Sequence, residues 1–211
     1  MALANADQQV LKQLAQWIKQ GHSSWLCTVV KTWGSSPRPV GSLLACNDAG
    51  HLSGSLSGGC IEEDLLERLQ LGEMASAAPE VLIYGVSQAE TERFGLPCGG
   101  QLHVVIEPFK DTAHLEALET MIHRIEQRQC IERRLDIATG DFSLTETERF
   151  RHLHFDGSFS NTSHPGEKTL TQTFGPRHQL FLIGCGQVSQ YLAEMAKALD
   201  YQVVVCDPRS N

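Results

Sequence analysis

Two cysteines in this chain stand beside paired glycines: Cys60 closes Ser57-Gly58-Gly59-Cys60, and Cys98 opens Cys98-Gly99-Gly100. Glycine removes side-chain bulk from the backbone next to each thiol, so a ligand can approach both the sulfur and main-chain N–H groups. If the two sites meet in space, they offer two soft sulfur donors and oriented amides. Such a set suits an anionic, thiophilic cofactor better than an ordinary organic substrate. A thiol in the first turn of a helix also faces unpaired N–H groups and the positive end of the helix dipole, which favours its use as a nucleophile or metal ligand. A nucleophilic role would need a histidine base, and only His51 and His103 are near either thiol in sequence.

The other cysteines read differently. Seven are present, at 27, 46, 60, 98, 130, 185 and 206, without any C-x-x-C spacing, so they form neither a disulfide framework nor a sequence-local zinc site. Cys27, Cys46, Cys130 and Cys206 lie inside apolar or strand-like runs and are expected to be small buried residues. His152 and His154 are spaced for one face of a strand, but no carboxylate-and-histidine set accompanies them, so a half-exposed face is the expectation.

The elements that must position the thiols follow from periodicity. Val10, Leu11, Leu14, Trp17 and Ile18 make residues 6–20 an amphipathic helix, and a strand is expected at 25–31. Residues 32–41 hold Gly34, Ser35, Ser36, Pro37, Arg38 and Pro39, too many breakers for a regular element, and form a shaped loop. Strands at 42–46 and 52–56 flank Asn47-Asp48-Ala49-Gly50 as a hairpin that delivers the chain to Cys60. The helix starting there would bury Ile61, Leu65, Leu66 and Leu69 and leave Glu62, Glu63 and Asp64 to solvent. A strand at 81–86, a polar connection at 87–97, a strand at 101–108 and a helix at 112–129 complete the first unit. Both glycine-flanked cysteines thus fall at element boundaries, where a scaffold exposes functional groups. Residues 131–177, rich in charge and turns, are expected to be a small meander or connection rather than a new core.

The last segment carries a separate signal. A strand at 179–183, Gly184-Cys185-Gly186, a helix through Leu192, Met195 and Leu199, a strand at 202–206 and Asp207 follow the dinucleotide-binding order. Gly184 would permit the tight turn, Gly186 would admit phosphate to the helix N-terminus, and Asp207, about twenty residues on, would receive a ribose hydroxyl. Ser189 stands where a third Gly or Ala is usual. With two strands before Asn211, the unit is expected to be shortened or to lean on a partner, to cover its faces poorly and to bind nucleotide weakly.

Composition narrows the class. A length of 211 residues with 41% hydrophobic content allows one generous core or two modest ones, and a formal charge of −8 argues against a broad face for nucleic acid. Neither a membrane-length apolar run nor a basic-then-apolar leader is present, since Asp7, Lys12 and Lys19 interrupt the first twenty residues; the expected setting is the cytoplasm, off the membrane.

Together the stretches Gly34-Ser35-Ser36-Pro37-Arg38, Gly58-Gly59-Cys60-Ile61-Glu62, Gly95-Leu96-Pro97-Cys98-Gly99-Gly100 and Val105-Ile106-Glu107-Pro108, with Gly41, Gly50 and Gly54 between them, resemble the xanthine dehydrogenase accessory factors, the XdhC and CoxI proteins. The resemblance covers nearly the whole chain, and residues 184–209 look like the start of that family's Rossmann domain. It departs in two respects: Ser57 stands where a third glycine often precedes the cysteine, and the Rossmann-like part is expected to end early. It implies an α/β fold, with an N-terminal α/β domain of glycine-rich cofactor loops over 1–130, a variable connection over 131–177 and an incomplete Rossmann-like βαβ unit over 178–211. It further implies a protein that binds molybdenum cofactor, supports its sulfuration with a cysteine desulfurase and delivers it to a molybdenum hydroxylase such as xanthine dehydrogenase, a carrier more than a catalyst. A homodimer is compatible with it. By the same analogy Cys60 and Cys98 would lie at the metal or its sulfur. The amides of Gly58, Gly59, Gly99 and Gly100 would line the pocket, and Arg38 with Ser35 and Ser36 would meet anionic oxygens. The competing expectation is an NAD(P)-dependent oxidoreductase built on Gly184, Gly186 and Asp207.

Overall fold

The computed structural model describes residues 6–34, 38–94, 100–157, 168–199 and 201–209. Helix α1 (Ala6–Lys19) forms on the expected period, with Val10, Leu11, Leu14 and Trp17 all buried along one stripe. Strands β1 (Ser24–Trp33), β2 (Leu43–Asn47), β3 (Leu52–Gly54), β4 (Glu80–Tyr84) and β5 (Gln101–Phe109) make one antiparallel sheet in the order β3-β2-β1-β5-β4.

Both faces of this sheet are covered, which is why most of β1 and nearly all of β5 are buried instead of alternating with exposed positions. On one face helix α2 (Cys60–Gln70) sets Ile61, Leu65 and Leu69 against Cys27, Val29, Leu44, Cys46 and Val104. On the other, Leu26, Leu43 and Ala45 meet α1 and helix α4 (Thr112–Glu126). The polar connection after β4 contains a short helix, α3 (Gln88–Arg93).

Residues 130–174 form a second antiparallel sheet from β6 (Cys130–Asp136), β7 (Phe142–Thr147), β8 (His154–Asp156) and β9 (Thr169–Phe174), in the order β7-β6-β9-β8. Its Leu135, Ile137 and Leu170 pack on Val30 and Val105 of the first sheet, so the segment expected to be a small meander or connection is an antiparallel sheet that contributes to a shared core. The charged texture concealed this because one of the charges points inward. Arg133 is buried, donates to both carboxylate oxygens of Glu107 on β5, one bond being Nη1 to Oε2 at 2.9 Å, and lies over the rings of Phe109 and Phe142.

Strand β10 (His178–Ile183), helix α5 (Gln187–Ala198) and strand β11 (Tyr201–Cys206) form a βαβ unit whose two strands pair in parallel from His178↔Tyr201 to Ile183↔Cys206. Phe181, Ile183, Val188, Tyr191, Met195 and Leu199 remain exposed there. Cys206, expected in a core, is exposed as well, because a two-stranded sheet gives its last strand little to be buried under. Among the described residues no helix is long and apolar enough to cross a membrane.

Candidate functional site

Sheet register gathers the motif-bearing loops at one end of the first sheet. The loop after Trp33 leaves the end of β1 and returns beside it, where the Gly41 N–H donates to the Val29 carbonyl at 2.8 Å. Strand β2 starts at that same end, antiparallel to β1, and β3 runs back to it, its Gly54 opposite Leu44. Strand β4 finishes there with Tyr84 opposite Leu102, and β5 begins there with Gln101 opposite Trp33. Helix α2 starts from this end and runs to the other, where the Gln70 side chain donates to the Asp48 carbonyl in the β2–β3 turn at 3.0 Å.

The turn from β3 into α2 is organised by Glu62. Its Oε1 accepts the N–H groups of Leu56 at 2.8 Å, Ser57 at 2.8 Å and Gly58 at 2.9 Å and the Ser55 hydroxyl at 3.0 Å. Oε2 accepts the Ser57 hydroxyl at 2.6 Å and the Gly59 N–H at 2.9 Å. Glu62 is therefore buried, at 6% exposure, where its place among carboxylates suggests a solvated face. Its spacing was the available signal: Glu at the third helical position reaching back to the N-cap N–H is half of a capping box. Burial alone would raise the carboxyl pKa, but the amides of Gly58, Ser57 and Gly59 and the Ser57 hydroxyl outweigh it and pull the group from 4.5 down to about 2.

A carboxyl depressed in the folded state contributes its full stability above the unfolded value of 4.5 and loses it as pH falls toward 2. The gap in unfolding midpoint between wild type and Glu62→Gln should be constant above about pH 5 and close progressively below it. Urea titrations across that range measure it; a gap that stays level into strong acid contradicts the assignment.

This arrangement changes what the glycine pair offers. The N–H groups of Gly58 and Gly59, expected to line a pocket, are turned onto Glu62, and the loop presents its bare Cα atoms outward instead. A side chain added at either position would meet no atom within 4 Å among the described residues, and Gly58 at φ +103° also needs glycine for its backbone. Cys60 is exposed immediately after them, at the first position of α2. Arg38 is half-buried in the returning loop.

One turn along α2 from Cys60, Asp64 accepts the Tyr84 hydroxyl at 3.1 Å and Arg93 Nη2 at 2.9 Å. Burial, and then the Asp64 charge, raise the Tyr84 pKa well above the ordinary value. Phe94 packs edge-on to Tyr84 with ring centroids 5.1 Å apart and lies under the Arg93 guanidinium. The chain thus reaches Phe94 beside the first turns of α2 and resumes at buried Gly100 beside Trp33. Ser35, Ser36, Cys98 and Gly99 lie outside the described residues.

The candidate bases are engaged elsewhere. The His51 ring stacks on Trp17 with centroids 6.3 Å apart and meets the Asn47 side chain at 3.3 Å. His103 is buried on β5, and burial followed by the charge of Lys31 holds its pKa below the ordinary histidine value. In the βαβ unit, Gly184 takes φ +99° and Gly186 caps α5. The Asp207 carboxylate is occupied from within, by the Cys185 N–H at 2.6 Å and by the backbone and guanidinium of Arg209. These bonds, led by the Arg209 side chain, hold its carboxyl well below the ordinary range. Among the described residues no group of three or more His, Cys, Asp or Glu side chains could hold a metal ion.

Known proteins resemble the chain in both sequence and fold. Residues 17–85 match the XdhC and CoxI family. A probable xanthine dehydrogenase subunit from Bacillus subtilis (strain 168) is 26% identical over 200 residues, covering 87% of this chain and 59% of the relative. The molybdenum cofactor insertion chaperone PaoD of Escherichia coli (strain K12) is 27% identical over 206 residues, covering 97% and 59%. A crystal structure of a xanthine dehydrogenase from Bacillus halodurans superposes with a TM-score of 0.61 at 20% identity, covering 95% of this chain and 63% of that one, which speaks to the fold alone. The chain spans about three fifths of the length of these relatives.

Proposed function

We propose, from the match of residues 17–85 to the XdhC and CoxI family and the two relatives, the role of a molybdenum cofactor carrier that serves a molybdenum hydroxylase of the xanthine dehydrogenase type. The observation that carries this reading is the exposed thiol of Cys60 at the start of α2, reached across two side-chain-free positions at the end of the sheet where the motif loops gather. A soft donor beside bare backbone fits a dithiolene-bound metal with a planar pterin attached. In this reading Cys60 and Cys98 face the metal and its sulfur, and Gly99 and Gly100 line the same cleft.

The host that the family resemblance implies for the cofactor's anionic oxygens is kept, without help from the first glycine pair. With the Gly58 and Gly59 amides spent on Glu62, anionic oxygens fall to Arg38, assisted by Ser35 and Ser36. Residues 1–130 hold the cofactor, 131–177 brace that unit, and 178–211 form a Rossmann-like unit. Sulfuration with a cysteine desulfurase, a homodimeric assembly and a cytoplasmic setting complete the proposal.

Gel filtration of the protein mixed with molybdenum cofactor tests it. The wild type should co-elute with cofactor, and Cys60→Ala and Cys98→Ala should each retain about ten-fold less, the scale of one lost charge-assisted contact. Saturable NADH binding with substrate turnover, and no retained pterin, would replace the carrier with the dinucleotide oxidoreductase.

A further inference from the structure

We infer that Glu62 is a positioning residue for the cofactor cleft, acting through Cys60 by drawing the Ser55–Gly59 turn around its own carboxylate. The inference rests on the carrier reading and deepens it. One carboxylate gathers four backbone N–H groups and two hydroxyls from five consecutive residues, so the whole approach to Cys60 is shaped around a single side chain. Leu56 anchors the start of the turn in the core and the Ser55 N–H donates to the Leu43 carbonyl, but at Gly58 and Gly59 an added side chain would touch nothing among the described residues, so there the path is held by the bonds to Glu62. Since Glu62 belongs to the first turn of α2 and Cys60 opens that turn, the carboxylate ties the loop to the same rigid helix that carries the thiol. Glutamine in its place keeps the length but sets an NH₂ group against donors, leaving several N–H and O–H groups of the turn, buried at Leu56 and part-buried at its neighbours, without an acceptor. Ser57→Ala removes one bond and leaves the carboxylate, giving a milder version of the same lesion.

The test pairs amide hydrogen exchange with cofactor retention in the full chain, for wild type, Glu62→Gln, Ser57→Ala, Cys60→Ala and the Glu62→Gln/Cys60→Ala double variant. Glu63→Gln, at an exposed neighbouring position, is the control. In Glu62→Gln, exchange at residues 56–59 should rise by about ten-fold or more and retention should fall by a similar factor, with Ser57→Ala intermediate and Glu63→Gln unchanged. In the Cys60→Ala background Glu62→Gln should cost no further retention, because a residue acting through Cys60 has nothing left to position. Additive losses, or full retention by a Glu62→Gln protein whose turn has loosened, overturn the inference while leaving the carrier reading intact. If Glu62→Gln does not fold, Ser57→Ala carries the comparison, and its failure to loosen the turn overturns the inference. A wild type that holds no cofactor overturns the carrier reading, and with it a role for Glu62 in a cofactor cleft.

Discussion

Glu107→Ala is expected to lower the stability of the fold by about 3–5 kcal/mol, the cost of leaving one partner of a buried ion pair uncompensated. The side chains of Glu107 and Arg133 are only 4% and 7% exposed, and the guanidinium is wedged between Phe109 and Phe142, so water cannot replace the lost carboxylate. The pair joins β5 of the first sheet to β6 of the second, beside the apolar contacts of Leu135 and Leu170 with Val30 and Val105. Urea unfolding measures the loss, and the compensated variant Glu107→Leu/Arg133→Met should recover most of it, since two apolar side chains remove both charges from the interior. A single variant within about 1 kcal/mol of wild type would mean that the pair is solvated after all. Loss on this scale is a large share of the roughly 5–15 kcal/mol that holds an ordinary domain together.

Gly54→Ala should cost about 2–5 kcal/mol and remove cofactor retention with it. A Cβ at this position would sit 2.3 Å from the Leu43 carbonyl oxygen and 2.7 Å from a Val10 methyl, and φ there is +94°. The oxygen belongs to backbone that also accepts the Ser55 N–H at 3.0 Å, so the strain cannot be relieved by turning a side chain away. Strand β3 must move off β2, and it leads directly into the turn that Glu62 organises. Gly58→Ala makes the informative contrast: φ is +103° but no atom lies within 4 Å, so only the backbone cost of about 1–2 kcal/mol applies. Thermal unfolding of the two variants side by side checks the ranking, and equal losses would refute it.

Much of this protein was legible in its residues because the signals are local. Helical spacing in Val10, Leu11, Leu14 and Trp17, and in Ile61, Leu65 and Leu69, drew α1 and α2, and the strand–glycine–helix–strand order at the C-terminus drew a parallel βαβ pair. The exposed thiol of Cys60 at a helix start was equally visible, since its glycine neighbours and the apolar stripe after it are consecutive in the chain. The inward charges were not. Glu62 and Arg133 sit among solvent-facing charges of the same kind, and a charged residue is expected outside unless a partner is known.

For Glu62 the partners are the amides of a turn whose path depends on β3 pairing with β2, and for Arg133 the partner is a carboxylate on another sheet. Both therefore depend on contacts distant in sequence, which no periodicity records. Sequence by itself determined the elements of the first sheet's layer and of the βαβ unit, and the placing of Cys60 at a boundary. Only the tertiary structure decided that the glycine amides face inward onto Glu62, and that the charged segment after α4 is a core-forming sheet, because burial of a charge is settled by what the rest of the fold brings to meet it.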